Sequence, residues 1–502
     1  MSSQERIGLL IRSIREKKGM TQADFAKRLK TSQSAVARME KGLQNFTSKE
    51  IEKVSSALES KIISLDESID FKIYGGRKLS GNIKTNPSKN GALGLVCASL
   101  LNKSTTVLNG IPKIEEINRL IEVMRSIGIK VSWVSDQTLE ITPPDKFDIK
   151  SLNSKSASRI RSILMIIGSL SHFIKRFNIP HAGGCKMGNR TIEAHRHGLE
   201  ALGISIKTTK DNYEINVKKL KPASIVMYES SDTAAENIII AAALIPGETI
   251  IEFTPPNYQV QELCFFLEKC GVKIEGIGTT TLKIHGIKEI NKKIEYHNSE
   301  DPIESMLFIS AAATTGSHLK IERCPIDFLK LELLKLKKMG LKFKLTKPYL
   351  SWNERTKLVD VEVFPSKLKN LNDKIHAQPY PGVNSDNLPF FVPIATQATG
   401  RVLIHDWMWE NRAIYFTELN RLGASIALAD PHRVFINGPT KLSATQIVCP
   451  PALRPAVIIL IAMLAAEGTS ILRNVYSIYR GYEEISDRLN SIGAKIEIIR
   501  GI

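Results

Sequence analysis

The sequence predicts an α+β fold of six similar units, preceded by a small all-α domain. The phrase Leu-Gly-(Ala/Ile)-x-Ile, or a close variant of it, recurs at intervals of about 70 residues. Each copy follows an amphipathic helical pattern and precedes a short strand, so its glycine is expected to cap a helix C-terminus. The six glycines are Gly128, Gly203, Gly271, Gly340, Gly423 and Gly493.

A second pattern lies upstream of most of these glycines and completes the repeating unit. An apolar, Ala-rich run leads through a small turn into a β-branched strand, as at residues 247–251 and 468–472. One unit is therefore helix, turn, strand, helix, glycine and strand, and it cannot bury its apolar face alone. Three units around a pseudo-threefold axis would enclose their helices behind outer sheets. Six units would give two such bodies with a cleft between them.

Bulk composition predicts a soluble globular protein. The 502 residues are 43% hydrophobic and 24% charged. No apolar run approaches the roughly 20 residues that span a bilayer. The N-terminus lacks the layout of a signal peptide, so we expect a cytoplasmic protein.

The cysteine pattern and the net charge indicate which kinds of site and partner to expect. None of the six cysteines forms a Cys-x-x-Cys pair, no metal cluster is visible, and five cysteines lie in apolar surroundings typical of a core. The net charge of +18 fits either a solvated basic surface or two anionic partners, nucleic acid at the N-terminus and phosphorylated substrates beyond it.

The sequence pattern of residues 1–62 predicts a four-helix domain. Residues 63–70 are expected to form a linker after it. Thr21 is the expected N-cap of the second helix, and the third helix is expected over residues 32–40. The elements Gly19-x-Thr21-Gln22, Phe25-Ala26 and Met39-Glu40-x-Gly42 resemble repressor-type helix-turn-helix domains, although Thr31 stands where that family has glycine.

That resemblance implies DNA as a candidate partner of the N-terminal domain. The third helix would enter the major groove, where Gln33, Ser34 and Arg38 would contact base edges or phosphates. A domain that docks protein, or only dimerises, remains the alternative.

Polar motifs interrupt the apolar pattern where the units meet. Lys89 and Asn90 stand at a predicted helix start, which favours an anion. Cys185 lies in a glycine-rich loop between His181 and Arg190, where nearby cations would lower the pKa of the thiol. The acids and arginines recur at unit junctions, which predicts a polar cleft. These further motifs are Arg159-Ile160-Arg161, Ser299-Glu300-Asp301, Pro381-Gly382-x-x-Ser385-Asp386, Glu410-Asn411-Arg412 and Arg480-Gly481-Tyr482-Glu483.

Together these motifs resemble the enolpyruvyl transferases that act as UDP-N-acetylglucosamine 1-carboxyvinyltransferases, from about residue 71 to the C-terminus. The resemblance implies two inverse α/β barrels of three repeats each, with the active site between them. The first barrel would comprise residues 71–88 and 257–502, and the second, with the cysteine loop, residues 89–256. The implied reaction moves the enolpyruvyl group of phosphoenolpyruvate to the 3′-hydroxyl of UDP-N-acetylglucosamine by addition and elimination, and releases phosphate.

The resemblance also implies residue roles. Lys89, Arg190 and Arg412 would clamp the charges of phosphoenolpyruvate, Asn90 would orient the substrates, and Asp386 would lie beside the phosphate site.

Two further side chains are implied in proton transfer. Cys185 would protonate the methylene carbon of the donor and could form a covalent adduct with it. Asp301 would be the base that takes the sugar hydroxyl proton, with Lys89 as a third catalytic group. Capping of the following helix by Asp301 is the structural alternative. The implied contacts of UDP-N-acetylglucosamine are Arg161, Arg190, Thr191, Ile192, Glu193, Ala194, Ser231, Asp232 and Asp301.

Departures from the family pattern concern the acceptor more than the reaction. Ala182 and Thr191 replace prolines that flank the cysteine loop, Tyr380 and Asn384 replace His and Pro in the fifth unit, and residues 231–237 differ from the nucleotide-facing run. Two alternatives follow: transfer to another acceptor, or a DNA-binding regulator that senses a nucleotide sugar without turnover. The expected partners are phosphoenolpyruvate, UDP-N-acetylglucosamine and DNA, with no membrane, cofactor or metal.

Overall fold

The computed structural model describes residues 3–44, 46, 48–58, 69–183 and 191–500. Residues 1–72, 473–475 and 497–502 form one unit, and residues 73–472 and 476–496 form the other.

Four helices build the N-terminal domain, close to the predicted boundaries. Thr21 caps the second helix by a capping box, in which its hydroxyl accepts from the Asp24 amide at 3.1 Å. Ser32 caps the third helix by accepting from the Ala35 amide at 3.2 Å. Between these helices, Lys30 adopts the left-handed conformation, with a φ of 54°. The strained residue of the turn is therefore Lys30, one position before Thr31. The helices are α1 Ser3–Lys17, α2 Gln22–Leu29, α3 Gln33–Glu40 and α4 Ser48–Ala57.

An apolar cluster and one buried ion pair hold this domain together. Ile11, Phe25 and Val36 are fully buried among neighbouring helices. Beside them the Arg15 guanidinium donates to both oxygens of the Glu40 carboxylate, at 2.5 and 3.1 Å. The Gln22 amide donates to the same carboxylate at 2.8 Å. Buried charge is tolerated here because each carboxylate oxygen has a donor.

The second unit contains mixed helices and strands, as the repeat pattern predicts. No described helix is both long and apolar enough to cross a membrane. The longer helices and their short companions are α5 Lys89–Ala98, α6 Glu115–Ser126, α7 Ser154–Ala157, α8 Ile166–Leu170, α9 Glu193–Ala201, α10 Asp232–Ala243, α11 Tyr258–Cys270, α12 Pro302–Thr315, α13 Lys330–Lys338, α14 Phe391–Gln397, α15 Leu453–Ala465, α16 Tyr476–Tyr479 and α17 Ile485–Ser491. Short 3₁₀ helices cover Ser99–Leu101, Ile149–Ser151, Ser162–Met165, Ile326–Phe328, Leu388–Phe390 and Ala413–Leu422.

Within the described ranges, the strands form six small sheets. The strands are β1 Ile69–Gly75, β2 Asn82–Lys84, β3 Thr106–Asn109, β4 Lys130–Trp133, β5 Thr138–Thr142, β6 Arg176–Pro180, β7 Ile204–Thr208, β8 Asn212–Val217, β9 Ser224–Val226, β10 Gly247–Glu252, β11 Lys273–Glu275, β12 Thr281–Gly286, β13 Ile294–His297, β14 Leu319–Pro325, β15 Lys342–Leu345, β16 Tyr349–Leu350, β17 Lys357–Phe364, β18 Ile375–His376, β19 Gly400–His405, β20 Ser425–Asp430, β21 Arg433–Gly438, β22 Gln446–Val448, β23 Gly468–Arg473 and β24 Ile496–Arg500. Their orders are β13-β3-β5-β4, β6-β8-β7, β11-β12-β10-β9, β15-β17-β14-β2, β18-β19-β21-β20 and β22-β23-β1-β24, and β16 pairs with β17.

The six predicted capping glycines all adopt the left-handed conformation. Their φ angles lie between 91° and 103°. In the third, fourth and fifth repeats, for example, the glycine separates α11 from β11, α13 from β15, and Ala413–Leu422 from β20. This confirms the repeating unit, since a residue with a side chain would be strained at each of these positions.

Apolar helices fill the interior, and the sheets carry alternating burial. Every residue of α12 is buried, and α10 and α15 are buried over most of their length. Along β5 and β8, buried residues alternate with partly exposed ones, as in strands with one face on a core.

One apolar core cluster extends from Ala92 to Tyr296 and includes residues of α11 and β11–β13. The bounds of the two barrels stay a prediction. The third repeat buries its helix in that same core. The apolar stretch after Arg161 forms the 3₁₀ helix Ser162–Met165 and then α8, in which Gly168 packs closely on α10, since a Cβ there would lie 2.5 Å from the Asn237 carbonyl oxygen.

We predict that Glu40→Gln unfolds or strongly loosens the N-terminal domain. The change leaves Arg15 buried without its counter-charge, which costs about 3–5 kcal/mol. Hydrogen exchange of the amides in α1–α3, measured in the full chain, should accelerate. Glu16→Gln is the comparison, because Glu16 is half exposed and lies 2.8 Å from Arg12 and 3.3 Å from Arg15, so its loss should change exchange much less. Equal protection in both variants would contradict the prediction.

Candidate active site

Two chain segments that cross side by side bring Lys89 next to Asp301. The Ser88 amide donates to the Ser299 carbonyl at 2.7 Å, and the Asp301 amide donates to the Asn86 carbonyl at 2.8 Å. The helices α5 and α12 begin immediately after these crossings, at Lys89 and Pro302. Their N-termini therefore lie close together and favour negative charge between them.

Asp301 makes the capping interactions that the sequence offered as its structural alternative. Its Oδ1 accepts from the Ile303 and Glu304 amides at 2.8 and 3.4 Å. Its Oδ2 accepts from the Lys89 amide at 3.3 Å. Burial raises the pKa of the Asp301 carboxyl, against the lowering effect of Arg454. The carboxylate thus joins the two helix starts, and its role as a base stays a prediction.

The side chains of Lys89 and Asn90 both have partners that the sequence did not suggest. The Lys89 ammonium lies 2.8 Å from the Glu116 carboxylate. The Asn90 amide donates to the Tyr258 hydroxyl at 2.9 Å. Burial and the charges of Asp301 and Asp386 raise the pKa of that hydroxyl, so Tyr258 stays neutral and lies within electrostatic reach of both carboxylates.

A buried ion cluster holds the predicted residues Asp386 and Arg412. Arg412 is fully buried and donates from Nε and Nη2 to Asp406, the second bond being 2.8 Å. Arg412 Nη1 lies 3.8 Å from Asp386 Oδ1. Arg454 Nη2 donates to Asp386 Oδ2 at 2.8 Å, and Arg454 Nη1 donates to the Tyr482 hydroxyl. Two arginines therefore flank one aspartate.

The charge of Lys89, at the start of α5, also acts on this ion cluster. Although burial acts to raise it, the pKa of Asp386 is lowered by the charges of Arg454 and Arg412 and by that of Lys89. Asp386 thus stays ionised, and its side chain is 26% exposed. In contrast, residue Asp301 is only 7% exposed and has no carboxylate oxygen free of a backbone donor.

Residues expected to hold the acceptor form two connected groups. Arg161 Nη2 donates to the Thr191 carbonyl at 2.7 Å, just before α9, which carries Glu193 and Ala194 and follows Ile192. Ser231 and Asp232 begin α10. His195 of α9 joins the two groups. Its ring lies 3.1 Å from the Asn237 side-chain amide and 3.3 Å from the Thr233 hydroxyl, both on α10.

Asp232 also points toward the ion cluster. Its carboxylate accepts from the Asn257 amide at 2.9 Å, and the Asn384 amide lies 3.5 Å from the Asn257 side-chain oxygen. Burial, together with the charge of Asp386, raises the pKa of Asp232 to about 6. The acceptor-side and donor-side residues are thus linked within the second unit.

Two expected site residues cannot be placed. Cys185 and Arg190 lie outside the described residues. The other five cysteines are all buried, and burial raises the thiol pKa of each, to about 12 at Cys270, Cys324 and Cys449.

In the N-terminal domain, the candidate DNA contacts are solvent-facing. Gln33, Ser34 and Arg38 are exposed on α3. Ser34 and Arg38 are four residues apart and share one face of the helix.

Sequence reasoning missed Arg454, Tyr258 and Asp406. Arg454 had a local signal, because it is the one charged residue in the apolar stretch of α15. A charge in such a stretch requires a buried partner or a ligand. No local signal distinguished Tyr258, since its partner Asn90 is 168 residues away in the chain. Asp406 lies only six residues before its partner Arg412, so its proximity to the Glu410-Asn411-Arg412 motif was the signal that was overlooked.

Comparisons with known proteins agree with this arrangement. Residues 73–489 match the family model of EPSP synthase (3-phosphoshikimate 1-carboxyvinyltransferase), and residues 11–64 match a helix-turn-helix model. A solved enolpyruvyl transferase, NikO from Streptomyces tendae, superposes with a TM-score of 0.76 at 23% identity and covers 86% of this chain and 99% of its own. EPSP synthase from Acinetobacter baumannii gives 0.68 at 17% identity, covering 86% of this chain and all of its own. These structures confirm the predicted enolpyruvyl transferase fold.

Curated relatives are more similar in sequence. The UDP-N-acetylglucosamine 1-carboxyvinyltransferase of Bradyrhizobium diazoefficiens is 33% identical over 86% of this chain and 98% of its own length. The enzyme of the same name from Treponema denticola is 34% identical over 86% of this chain and 99% of its own. The chain is therefore a carboxyvinyltransferase of the EPSP synthase family, and it belongs with the UDP-N-acetylglucosamine 1-carboxyvinyltransferases.

Proposed function

We propose that the protein transfers the enolpyruvyl group of phosphoenolpyruvate to the 3′-hydroxyl of UDP-N-acetylglucosamine and releases phosphate. The observation that carries this is the convergence of Lys89, Arg412 and Arg454 around the ionised Asp386, in a chain whose curated relatives bear that enzyme's name. The reaction would commit the acceptor to peptidoglycan precursor synthesis. Both substrates are cytoplasmic metabolites, so we place the enzyme in the cytoplasm.

The cations match the charge of the donor. Phosphoenolpyruvate carries about three negative charges, and several fixed cations can bind it without reorganisation. Arg412 Nη1 is buried and has no hydrogen-bond partner, although Asp406 fixes the rest of the guanidinium. An unsatisfied buried donor is costly, which supports a phosphate or carboxylate oxygen as its partner. Lys89 and Arg454 would complete the clamp, with Arg190 from the cysteine loop and Asn90 as orienting amide.

The chemistry proceeds by addition and then elimination. In the addition, the acceptor oxygen bonds to C2 of the donor, its proton leaves to a base, and C3 gains a proton, for which we propose Cys185. In the elimination, the bond between C2 and the phosphate oxygen breaks, and C3 loses a proton so that the double bond returns.

For the base, we propose Asp301. Burial raises the pKa of its carboxyl, which makes the ionised form a stronger proton acceptor. Each carboxylate oxygen keeps a lone pair beside the backbone amides that it accepts. Asp386 is the weaker candidate, because the charges of Arg454 and Arg412 lower its pKa and Arg454 donates to its Oδ2.

The acceptor would lie along the α9 and α10 starts. Arg161, residues 191–194, Ser231 and Asp232 supply polar groups of the kind that hold a nucleotide sugar. We also propose that residues 1–62 form a DNA-binding domain that is separable from the two barrels. Residues 63–70 would link them, and the second barrel would carry the cysteine loop.

A regulator that senses the nucleotide sugar without turnover is the second candidate, favoured by the helix-turn-helix match at residues 11–64. Phosphate release on mixing the purified protein with both substrates decides between them. Release with UDP-N-acetylglucosamine supports the proposed transferase. Release with another acceptor alone would point to a related transferase, and tight sugar binding without any release would point to a sensor.

We predict that Asp301→Asn lowers turnover by about 10²–10⁴-fold, since an amide cannot accept the proton. The variant should fold normally, because asparagine caps helices as well as aspartate. Asp386→Asn is the comparison and should lower turnover less. Phosphate release and thermal melting of both variants give the answer. Near-normal turnover in Asp301→Asn, with loss of turnover in Asp386→Asn and an intact melt, would assign the base to Asp386.

We predict that Cys185 is the first cysteine to be alkylated. The other five are buried with raised thiol pKa values, and thiolate is the reactive form. Brief treatment with iodoacetamide followed by peptide mass mapping should label Cys185 and inactivate the enzyme. Phosphoenolpyruvate should protect it. Early labelling elsewhere, or inactivation without a label on Cys185, would contradict its assignment.

We predict that Arg38→Ala weakens DNA binding, and that binding by the wild type falls steeply with salt as counterions are released. Lys53→Ala is the charge-matched control, because Lys53 is exposed on α4 rather than α3. Fluorescence anisotropy with a pool of genomic fragments measures both. Salt-independent binding, or an equal effect of the two variants, would argue for a protein-docking role.

A further inference from the structure

The fourth repeat carries a set of lysines on its outer helix and edge strand. Residues 330–347 hold seven lysines and a single acid, Glu332, which is buried. The segment runs from α13 through Gly340 to β15 and the loop that follows. We call this set the lysine face: Lys330, Lys335, Lys337, Lys338, Lys342, Lys344 and Lys347.

The equivalent segments of other repeats show whether the fold itself requires this many lysines. The equivalent helix, glycine and strand span residues 115–133 in the first repeat, with three bases and three acids. Residues 258–275 of the third repeat have two bases and three acids, and residues 413–430 of the fifth have one base and two acids. Gly340 adopts the same backbone conformation as its five counterparts. The fold therefore does not require the lysines.

Local structure explains only part of the lysine face. Lys335, Lys337 and Lys338 occupy the last turn of α13, where cations stabilise the helix dipole. Lys342 and Lys344 lie on β15, and Lys347 lies in the loop beyond it, where no such effect operates. Among the described residues, Lys330 pairs with Asp327 at 2.5 Å, while no ion pair joins Lys337, Lys342 or Lys344 to a carboxylate. Glu362 is the register partner of Lys344 on β17, while the other like charges of the set repel each other unless an anionic partner is present.

Apolar side chains are exposed beside the lysines. Leu334 on α13 is 48% exposed, and Leu345 and Leu350 on the adjoining strands are 44% and 55% exposed. Strand β15 is the edge of its sheet, and it alternates lysine with apolar residues, from Lys342 and Phe343 to Lys344 and Leu345. Because successive side chains point to opposite faces, the edge of the sheet is bordered by cations on one face and by apolar groups on the other.

We propose that the lysine face docks on a membrane surface that contains anionic phospholipids. Lysines attract the negative surface of a bilayer, and neighbouring leucines can enter the interfacial region. Nucleic acid fits less well, because it offers no apolar layer for Leu345 and Leu350, and all the cations here are lysines rather than the arginines suited to bidentate phosphate contacts. The expectation of no membrane partner rested on the absence of a spanning segment, which does not bear on a surface contact.

The test compares full-length variants in co-sedimentation with vesicles of phosphatidylcholine, with and without phosphatidylglycerol. The triple variant Lys337→Glu, Lys342→Glu, Lys344→Glu should lower partitioning onto the anionic vesicles by about a hundredfold or more. Its matched control is Lys218→Glu, Lys219→Glu, Lys221→Glu, which changes the net charge equally at exposed lysines of the second repeat. The control should keep most of the binding, and phosphate release should be unchanged in both.

A second pair of changes examines the apolar contribution. Leu345→Ser with Leu350→Ser should weaken vesicle binding, most visibly at high salt, where the lysine attraction is screened. Duplex DNA binding is measured for every variant. The proposal is overturned if the triple variant binds vesicles as the control does, if vesicles without phosphatidylglycerol bind equally well, or if DNA affinity falls as much as vesicle binding or more.

Discussion

The pairing of two crossing segments, residues 85–89 and 298–301, is the constraint on which the active site depends. Four hydrogen bonds join these segments: Ser88 to Ser299, Asp301 to Asn86, the Asn298 amide to the Ser88 carbonyl at 2.8 Å, and the Lys89 amide to the Asp301 carboxylate at 3.3 Å. Because α5 and α12 start at this junction, one local geometry fixes both helix N-termini and the Lys89 backbone. Any shift of the crossings would move a cation and a carboxylate together, away from Arg412 and Arg454.

Three aspartates near this junction have different carboxyl pKa values because their surroundings differ. Asp386 is held ionised by two arginines and Lys89, whereas burial raises the pKa of Asp301 and raises that of Asp232 to about 6. Groups pushed apart in this way can serve different roles within one site. The two arginines keep Asp386 ionised, and in our proposal they also bind the donor.

Six repeats of one backbone make the departures from the repeat informative. The glycine cap and the outer strand recur because each unit must end a helix and begin a strand in a small space. The repeated backbone does not require Arg412, Arg454 or Asp386. It does not require the lysine face of the fourth repeat either. Side chains that the shared fold does not require are the ones that carry binding and chemistry in our proposals.

The sequence by itself determined the elements whose causes are local. Glycine positions set the helix ends, Thr21 and Ser32 set the helix starts of the N-terminal domain, and the repeat period gave the six-unit architecture. Lys89, Asp386 and Arg412 were also identified from motifs. Only the tertiary structure decided that residues 257–297 share an apolar core with the first two repeats, that the two oxygens of Asp301 bond the starts of two different helices, and that Arg454 is the partner of Asp386. These outcomes depend on contacts between segments far apart in the chain, and no local pattern encodes which distant charge a buried side chain will meet.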